Sequence, residues 1–600
     1  MKVLLVAINS KYIHSNLAVY YLREYANKHK FSQSEATKME ASINIVEYTI
    51  NQQVEMIFQS IYKEKPDLLA FSCYIWNVEI IKRLCVELRK VLPNTKIWLG
   101  GPEVSYNSKE YLIKHQEVDG IMLGEGEGTF TELINYYLGE SKDKQSLDEI
   151  KGLVFRNENK KQEINDVIYT GLRPLLNFNS IPFPYDNLSD FENKIIYYES
   201  SRGCPFSCSY CLSSVDKSLR LRDMELVRDE LNFFLKNKVK QVKFIDRTFN
   251  CKKEHALAVW KYIYENDNGI TNFHFEIAAD LLDEEQIQLL RTMRSGLVQL
   301  EIGIQSTNLD TLKAINRKTD LEKIVSNVNA IRKARNIHHH LDLIAGLPYE
   351  DYKSFSNSFN EVYALKPDQL QLGFLKVLKG TPMADSSQEY KIVYKDIPPY
   401  EVLYTKWINY DEVLELKLVE EMLDVYYNSA QFDASIKFME HFFDTPFELY
   451  KELGEYYQVN KLLEVRHKRL TRYEILLRFM ETRLSNTEGF KEILMYDLCL
   501  RENLKARPKF AADQDNHKEV YGKIFANEEL RKKYLGIKES KTSLGKAKQF
   551  FHIESFNIDI KKSVEKGEYI YDPQLILFDY NNRNPLDYSA DTKKITEKLI

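Results

Sequence analysis

The chain has 600 residues, 44% hydrophobic and 28% charged, with a formal charge of −5. That length exceeds what one hydrophobic core supports and predicts two to four domains of ordinary globular composition. The charge balance excludes bulk attraction to nucleic acid or anionic lipid, and no apolar run reaches the ~18 to 20 residues that cross a bilayer.

The opening MKVLLVAINSKY carries one lysine, an apolar stretch of about seven residues and no small-residue cleavage site. It reads as a buried first strand rather than a signal peptide. A cytoplasmic, reducing setting is then expected, where clustered cysteines hold metal more often than they form disulfides.

Up to about residue 140, short apolar runs alternate with helical periodicity. Strands are predicted at 2–8, 43–49, 67–73, 96–101 and 119–124, and NVEIIKRLCVELRKVL (77–92) has the three- and four-residue spacing of a helix. Strands alternating with helices predict a flavodoxin-like (Rossmann-like) doubly wound α/β domain over 1–140, with ligands beyond the C-terminal strand ends. Residues 141–190 read as a linker, with a small strand pair near GLVFRN and prolines in NSIPFPYDNL that stop regular structure.

A second alternating series fills 191–400. Six strands are predicted, at 195–200, 242–246, 273–278, 298–303, 341–346 and 369–377, with helices between them. Six units predict a partial (β/α)6 TIM-type barrel rather than the closed eightfold form. Residues 401–600 read as a mainly helical domain with a hairpin near 569–580.

Three of the seven cysteines fall within eight positions, in SSRGCPFSCSYC directly after the first barrel strand. Cys204, Cys208 and Cys211 form C-x3-C-x2-C. Three thiolates on one non-helical loop suit a [4Fe–4S] cubane with one iron left open to a ligand. A tetrahedral zinc site is the competing reading, but its nearest fourth ligands, Cys251 and His255, lie about 40 residues away.

This loop, with Tyr210 before its last cysteine, resembles the signature of the radical S-adenosylmethionine (SAM) enzymes. The resemblance implies a partial barrel and a cluster that cleaves SAM to methionine and a 5′-deoxyadenosyl radical. It also implies a flavodoxin- or ferredoxin-type electron donor. FHFEIAADLL, QLEIGIQS, AINRKT and DLIAGLPYED look like motifs of the branch containing the oxygen-independent coproporphyrinogen oxidases. That likeness places Glu276 near the methionine amino end of SAM, Gln305 and Asp342 near the ribose, and Arg317 near the carboxylate. KFIDRTFN keeps Asp246 where relatives often have two adjacent acids, for positioning the cofactor amine or forming a structural salt bridge.

The first domain resembles the cobalamin-binding modules fused to many such enzymes. Its D-x-H-x-x-G ligand signature is incomplete, because Tyr12 and Leu17 replace the Asp and Gly around His14, so His14 is not expected to ligate cobalt. The strand-end segments GGPEVS and GEGEGT make Gly101, Gly124 and Gly126 the candidate cobalamin contacts, since glycine admits close approach of a flat ring. The glutamates of GEGEG would repel a pyrophosphate, which disfavours a dinucleotide. The final region resembles a domain of unknown function found after this domain pair. Within it, residues 501–550 hold 13 Lys/Arg against 7 Asp/Glu, and a solvated helical face is expected rather than an RNA-binding one.

His338, His339 and His340 sit on one predicted strand, so they alternate between faces and cannot converge on one metal. The reading that follows is a radical SAM enzyme transferring a methyl group from cobalamin to an unactivated position. The alternatives are a radical rearrangement, cyclisation or oxidation, a methylthiotransferase, and a non-catalytic cobalamin or redox sensor. A methylthiotransferase would need three N-terminal cysteines for a second cluster, and only Cys73 and Cys85 precede the barrel.

Overall fold

The computed structural model describes residues 1–29, 41–139, 146–157, 167–185, 187–513, 517–536 and 549–596. Among them no helix is long and apolar enough to cross a membrane. Parts of the basic stretch 501–550 lie outside the described residues. The chain divides into two compact units: residues 1–290 with 313–319 and 375–406, and residues 291–312 with 320–374 and 407–600.

The first unit begins with strands β1 (Lys2–Asn9), β2 (Ser42–Thr49), β3 (Leu68–Ser72), β4 (Lys96–Gly100) and β5 (Gly120–Met122). All five expected strands are present. They pair in parallel in the order β2-β1-β3-β4-β5, with Val3 beside both Ile43 and Leu68. Helices on both faces exclude water, so Val3 to Ile8 are all buried, and the strands read as continuous apolar runs. The sheet continues into the segment expected to be linker, where the small strand pair expected near GLVFRN forms: β6 (Leu153–Arg156) and β7 (Val167–Tyr169) add two antiparallel strands, making seven.

The barrel series follows. In the first unit, β8 (Ile196–Tyr198), β11 (Gln241–Phe244) and β12 (Asn272–Ile277) pair in parallel, Val242 lying beside Ile196 and Phe273. Between β8 and β11 a short antiparallel ribbon forms from β9 (Ser201–Arg202) and β10 (Arg220–Leu221).

The second unit holds the other three barrel strands. β13 (Val298–Gln305), β14 (His338–Ala345) and β15 (Gln369–Phe374) are parallel, with Leu341 between Ile302 and Leu370. The rest of this unit is mainly helical, with a three-stranded antiparallel sheet of Phe551–Ile558, Tyr571–Arg583 and Ala590–Ile595. The predicted hairpin at 569–580 is instead one long strand with a partner on each side. Its Asp572–Pro573 pair looks like a turn in sequence, but it lies at the strand's start, beyond most of the ladder.

One buried acid in the second unit makes stability depend on pH. Glu350 is 1% exposed; one carboxylate oxygen accepts from Ser306 Oγ at 2.6 Å and Ser358 Oγ at 3.0 Å, and the other has no partner. Burial pushes its pKa up from the ordinary 4.5 to about 7. A raised acid favours the folded state fully below the unfolded pKa and loses that contribution as pH climbs through the folded one. Glu350→Gln is therefore expected to raise Tm relative to the parent at pH 8 and to give no gain at pH 4.5. The differential is on the order of 2–3 kcal/mol; equal shifts at both pH values in a thermal melt would refute it.

Candidate functional site

The cysteine loop is the tip of the β9/β10 ribbon. Its base is closed by Cys204 N–H donating to Asp216 O at 3.0 Å. Gly203 has φ +87°, and a Cβ there would lie 2.3 Å from Ser218 O, so only glycine lets the two ribbon strands pass. The loop's middle is tied down from outside: Ser209 N–H donates to Ile315 O, Met383 N–H donates to Ser209 O, and Asn316 Nδ2 donates to Ser207 O at 3.1 Å.

Cys204 and Cys208 are each 8% exposed and Cys211 is half-buried; all three are free thiols. Arg317 is brought to them by the 313–319 segment. Its Nη1 lies 3.6 Å from Cys208 Sγ and 3.4 Å from Tyr210 Oη. Burial raises the Cys208 thiol pKa and Arg317 opposes that rise. The sequence-derived Cys204, Cys208, Cys211, Tyr210 and Arg317 thus share one site.

The sulfur geometry bears on the zinc reading. A single tetrahedral zinc at ~2.3 Å bond length needs its sulfurs within about 4 Å of one another. Among the described residues, two groups bring three ligand atoms within 4.8 Å, Glu301/His340/Asp342 and Cys499/His552/Glu554, and the cysteine trio is not one of them. His255, the candidate fourth zinc ligand, has its Nε2 2.9 Å from Ser200 Oγ. In the Cys499 group, Arg507 already holds both oxygens of Glu554, at 2.6 and 3.2 Å, so a guanidinium supplies the positive charge.

Asp246 is 1% exposed and accepts from Ser200 N–H at 3.0 Å, Ser200 Oγ at 2.7 Å and Ser201 Oγ at 2.6 Å. Its partners are serines at the root of the cysteine loop rather than a cation. Glu276, at the end of β12, is half-buried, with Lys243 Nζ 3.9 Å away. Cys251 is half-buried, and burial pushes its thiol up to about 11, which keeps it protonated. In the second unit, Gln305 and Asp342 lie on β13 and β14; the strand register sets Asp342 beside Gly303, and His340 Nε2 is 3.0 Å from Asp342 Oδ1. Of the three histidines, His340 and the neighbouring strand's Glu301 share the Asp342 face, and His339 lies on the other.

At the strand ends of the seven-stranded sheet, Gly101 has φ +107°, and a Cβ there would meet Cys73 O at 2.5 Å, so this glycine serves a backbone crossing. Gly124 has nothing within 4 Å of its Cβ position, while that of Gly126 meets Leu22 at 3.0 Å. His14 Nδ1 lies 2.6 Å from Tyr197 Oη. Sequence reasoning missed the pair Tyr74 and Trp76 after β3. Their rings stack at 4.5 Å and 4°, Trp76 Nε1 donates to Ile8 O at 3.0 Å, and Trp76 stays 42% exposed. Tyr12 and Ile13, after β1, are also exposed. The available signal was an aromatic pair in a strand-end loop, one of them among only four tryptophans.

Three family models match the chain: a B12 binding domain over residues 3–134, the radical SAM superfamily over 198–362, and a protein of unknown function, DUF4080, over 388–578. The chain is 25% identical over 402 residues to the cobalamin-dependent radical SAM methyltransferase TokK of Streptomyces tokunonensis, covering 63% of this chain and 57% of that protein. It is 25% identical over 308 residues to the 2-(S-pantetheinyl)-carbapenam-3-carboxylate methyltransferase of Streptantibioticus cattleyicolor, covering 50% of this chain and 45% of that protein. The chain thus spans about half the length of these two curated relatives. Its fold is similar to that of the cobalamin-dependent SAM radical enzyme OxsB, with a TM-score of 0.57 at 15% identity over 83% of this chain and 78% of that one.

Proposed function

The chain carries a B12-binding domain, a radical SAM domain and, behind them, a DUF4080 domain, and from that premise we propose that it is a cobalamin-dependent radical SAM methyltransferase acting on an unactivated carbon. The observation that carries the reading is the trio of reduced thiols on one pinned loop, with the Arg317 guanidinium 3.6 Å from Cys208 Sγ. When bound, the [4Fe–4S] cluster supplies the electron that cleaves SAM, and cobalamin supplies the methyl group.

Cys204, Cys208 and Cys211 hold the cluster as thiolates. Arg317 favours the charged form of Cys208 and offers a fork of donors to the methionine carboxylate. Glu276 offers a carboxylate to the methionine amino group. Asp246 acts one step back, fixing the root of the loop through Ser200 and Ser201. The ribose roles of Gln305 and Asp342 stand on their motifs alone. For cobalamin, Trp76, backed by the stacked Tyr74, presents a flat, exposed ring, and the open side of Gly124 leaves room for a macrocycle edge. A reduced flavodoxin- or ferredoxin-type protein is the proposed electron donor.

The test is the product pair. The full chain, reconstituted anaerobically with iron, sulfide and cobalamin, is incubated with SAM and a strong reductant. We expect S-adenosylhomocysteine from methylation of the reduced cobalamin and 5′-deoxyadenosine from reductive cleavage. 5′-Deoxyadenosine alone would replace methyl transfer with a rearrangement, cyclisation or oxidation; binding of SAM without either product would leave a sensor.

A further inference from the structure

The GEGEG segment has a part in the molecule that the proposed activity does not assign. Glu125 precedes the helix Gly126–Leu138 and Glu127 lies in its first turn. Both carboxylates meet arginines from the ribbon that carries the cysteine loop. Arg202 Nη2 is 2.7 Å from Glu127 Oε1, and its Nη1 is 3.5 Å from Glu125 Oε1. Arg220 grips Glu125 with both ends of its fork, Nη2 at 2.5 Å from Oε1 and Nη1 at 3.1 Å from Oε2. These two arginines face each other in register across β9 and β10, one on each side of the loop.

The clasp is sheltered. The side chains of Arg202, Arg220, Glu125 and Glu127 are all under 20% exposed, and the rings of Tyr21 and Phe178 lie 5.4 and 5.1 Å from the Arg202 guanidinium carbon. Glu199 completes it, accepting from Arg202 Nε at 2.9 Å. Exposed ion pairs contribute little, whereas a sheltered, forked network holds one geometry, because breaking it strands a charge away from water. Two glutamates on alternate residues of a strand-end turn would be a poor choice around a phosphate. They are a good match for two arginines presented on a hairpin.

We infer that Glu125 and Glu127 are positioning residues that, through Arg202 and Arg220, clamp the stalk of the cysteine loop onto the B12-binding domain and so couple SAM cleavage to methyl transfer. The inference rests on the proposed methyltransferase reading for its second half and on the structure alone for its first.

The double variant Glu125→Gln/Glu127→Gln keeps side-chain size and removes the charge. Hydrogen–deuterium exchange on the full chain without cofactors is expected to show amides 200–222 exchanging at least fivefold faster, with β1 to β4 unchanged. In the reconstituted enzyme the ratio of S-adenosylhomocysteine to 5′-deoxyadenosine is expected to fall about tenfold while iron content holds. Arg220→Lys, which keeps the charge and loses the fork, falls between. Unchanged exchange at 200–222 overturns the clamp. Faster exchange with an unchanged product ratio overturns the coupling. A parent protein that forms no S-adenosylhomocysteine defeats the methyltransferase reading and with it the coupling, and the exchange result still decides the clamp. Should the double variant fold poorly, Arg220→Lys alone carries the same comparison.

Discussion

Alanine in place of Cys208 is expected to drop 5′-deoxyadenosine formation to background and iron from about four atoms per reconstituted chain to below one. The expectation follows from what the loop offers. Three sulfurs hold three corners of a cubane, and deleting one leaves an iron with no protein ligand at an 8% exposed position where water cannot readily replace it. Cys208 is the member beside Arg317, so its loss also removes one partner of that guanidinium. The same result is expected for Cys204→Ala and Cys211→Ala, whereas Cys251→Ala should keep the full iron content. Metal and sulfide analysis on anaerobic protein checks this. Zinc held in stoichiometric amount with no sulfide, in parent and in Cys251→Ala alike, would refute the cluster.

The second large effect is expected from a single methyl group. In Gly203→Ala the new Cβ would sit 2.3 Å from Ser218 O and 2.8 Å from Ser218 C, at φ +87°. Backbone atoms cannot swing aside as a side chain can, so the β9/β10 ribbon must open. The cost is on the order of 2–4 kcal/mol, combining left-handed strain with the clash. That energy corresponds to a roughly 30- to 1000-fold smaller population of the loop that binds a cluster. Gly269→Ala separates the two causes, because Gly269 is also left-handed, at φ +75°, with nothing within 4 Å. It should lose about 1 kcal/mol and keep its iron. Full iron retention in Gly203→Ala would show that the ribbon does not set the loop.

Much of the fold was legible in the sequence, because strands covered on both faces appear as uninterrupted apolar runs and helices as 3.6-residue periodicity. All five strands of the first domain and all six of the barrel series lie where those patterns put them. The cysteine loop was equally plain, since its chemistry is local: three ligands, a glycine and a proline within a dozen residues. The small strand pair near GLVFRN was legible too, as β6 with β7, but its joining the first sheet beside β5 was not, because the strand it pairs with is not a property of its own residues. The long strand Tyr571–Arg583 was misread as a hairpin because Asp-Pro at its start carries a turn composition.

Long-range electrostatics lay wholly beyond the sequence. GEGEG read as a turn whose glycines admit a flat ring and whose glutamates disfavour a pyrophosphate; nothing in it told that Arg202 and Arg220, about 75 and 95 residues away, meet its carboxylates. Asp246 read as positioning a cofactor amine or forming a structural salt bridge, and its hydrogen bonds from the serines at 200 and 201 were not legible. The chain by itself determined which elements form and which residues carry metal chemistry, because period and ligand spacing are properties of neighbours along the backbone. Only the tertiary structure decided which charges meet, since a carboxylate's partner depends on which loops the folded sheet brings within about 3 Å.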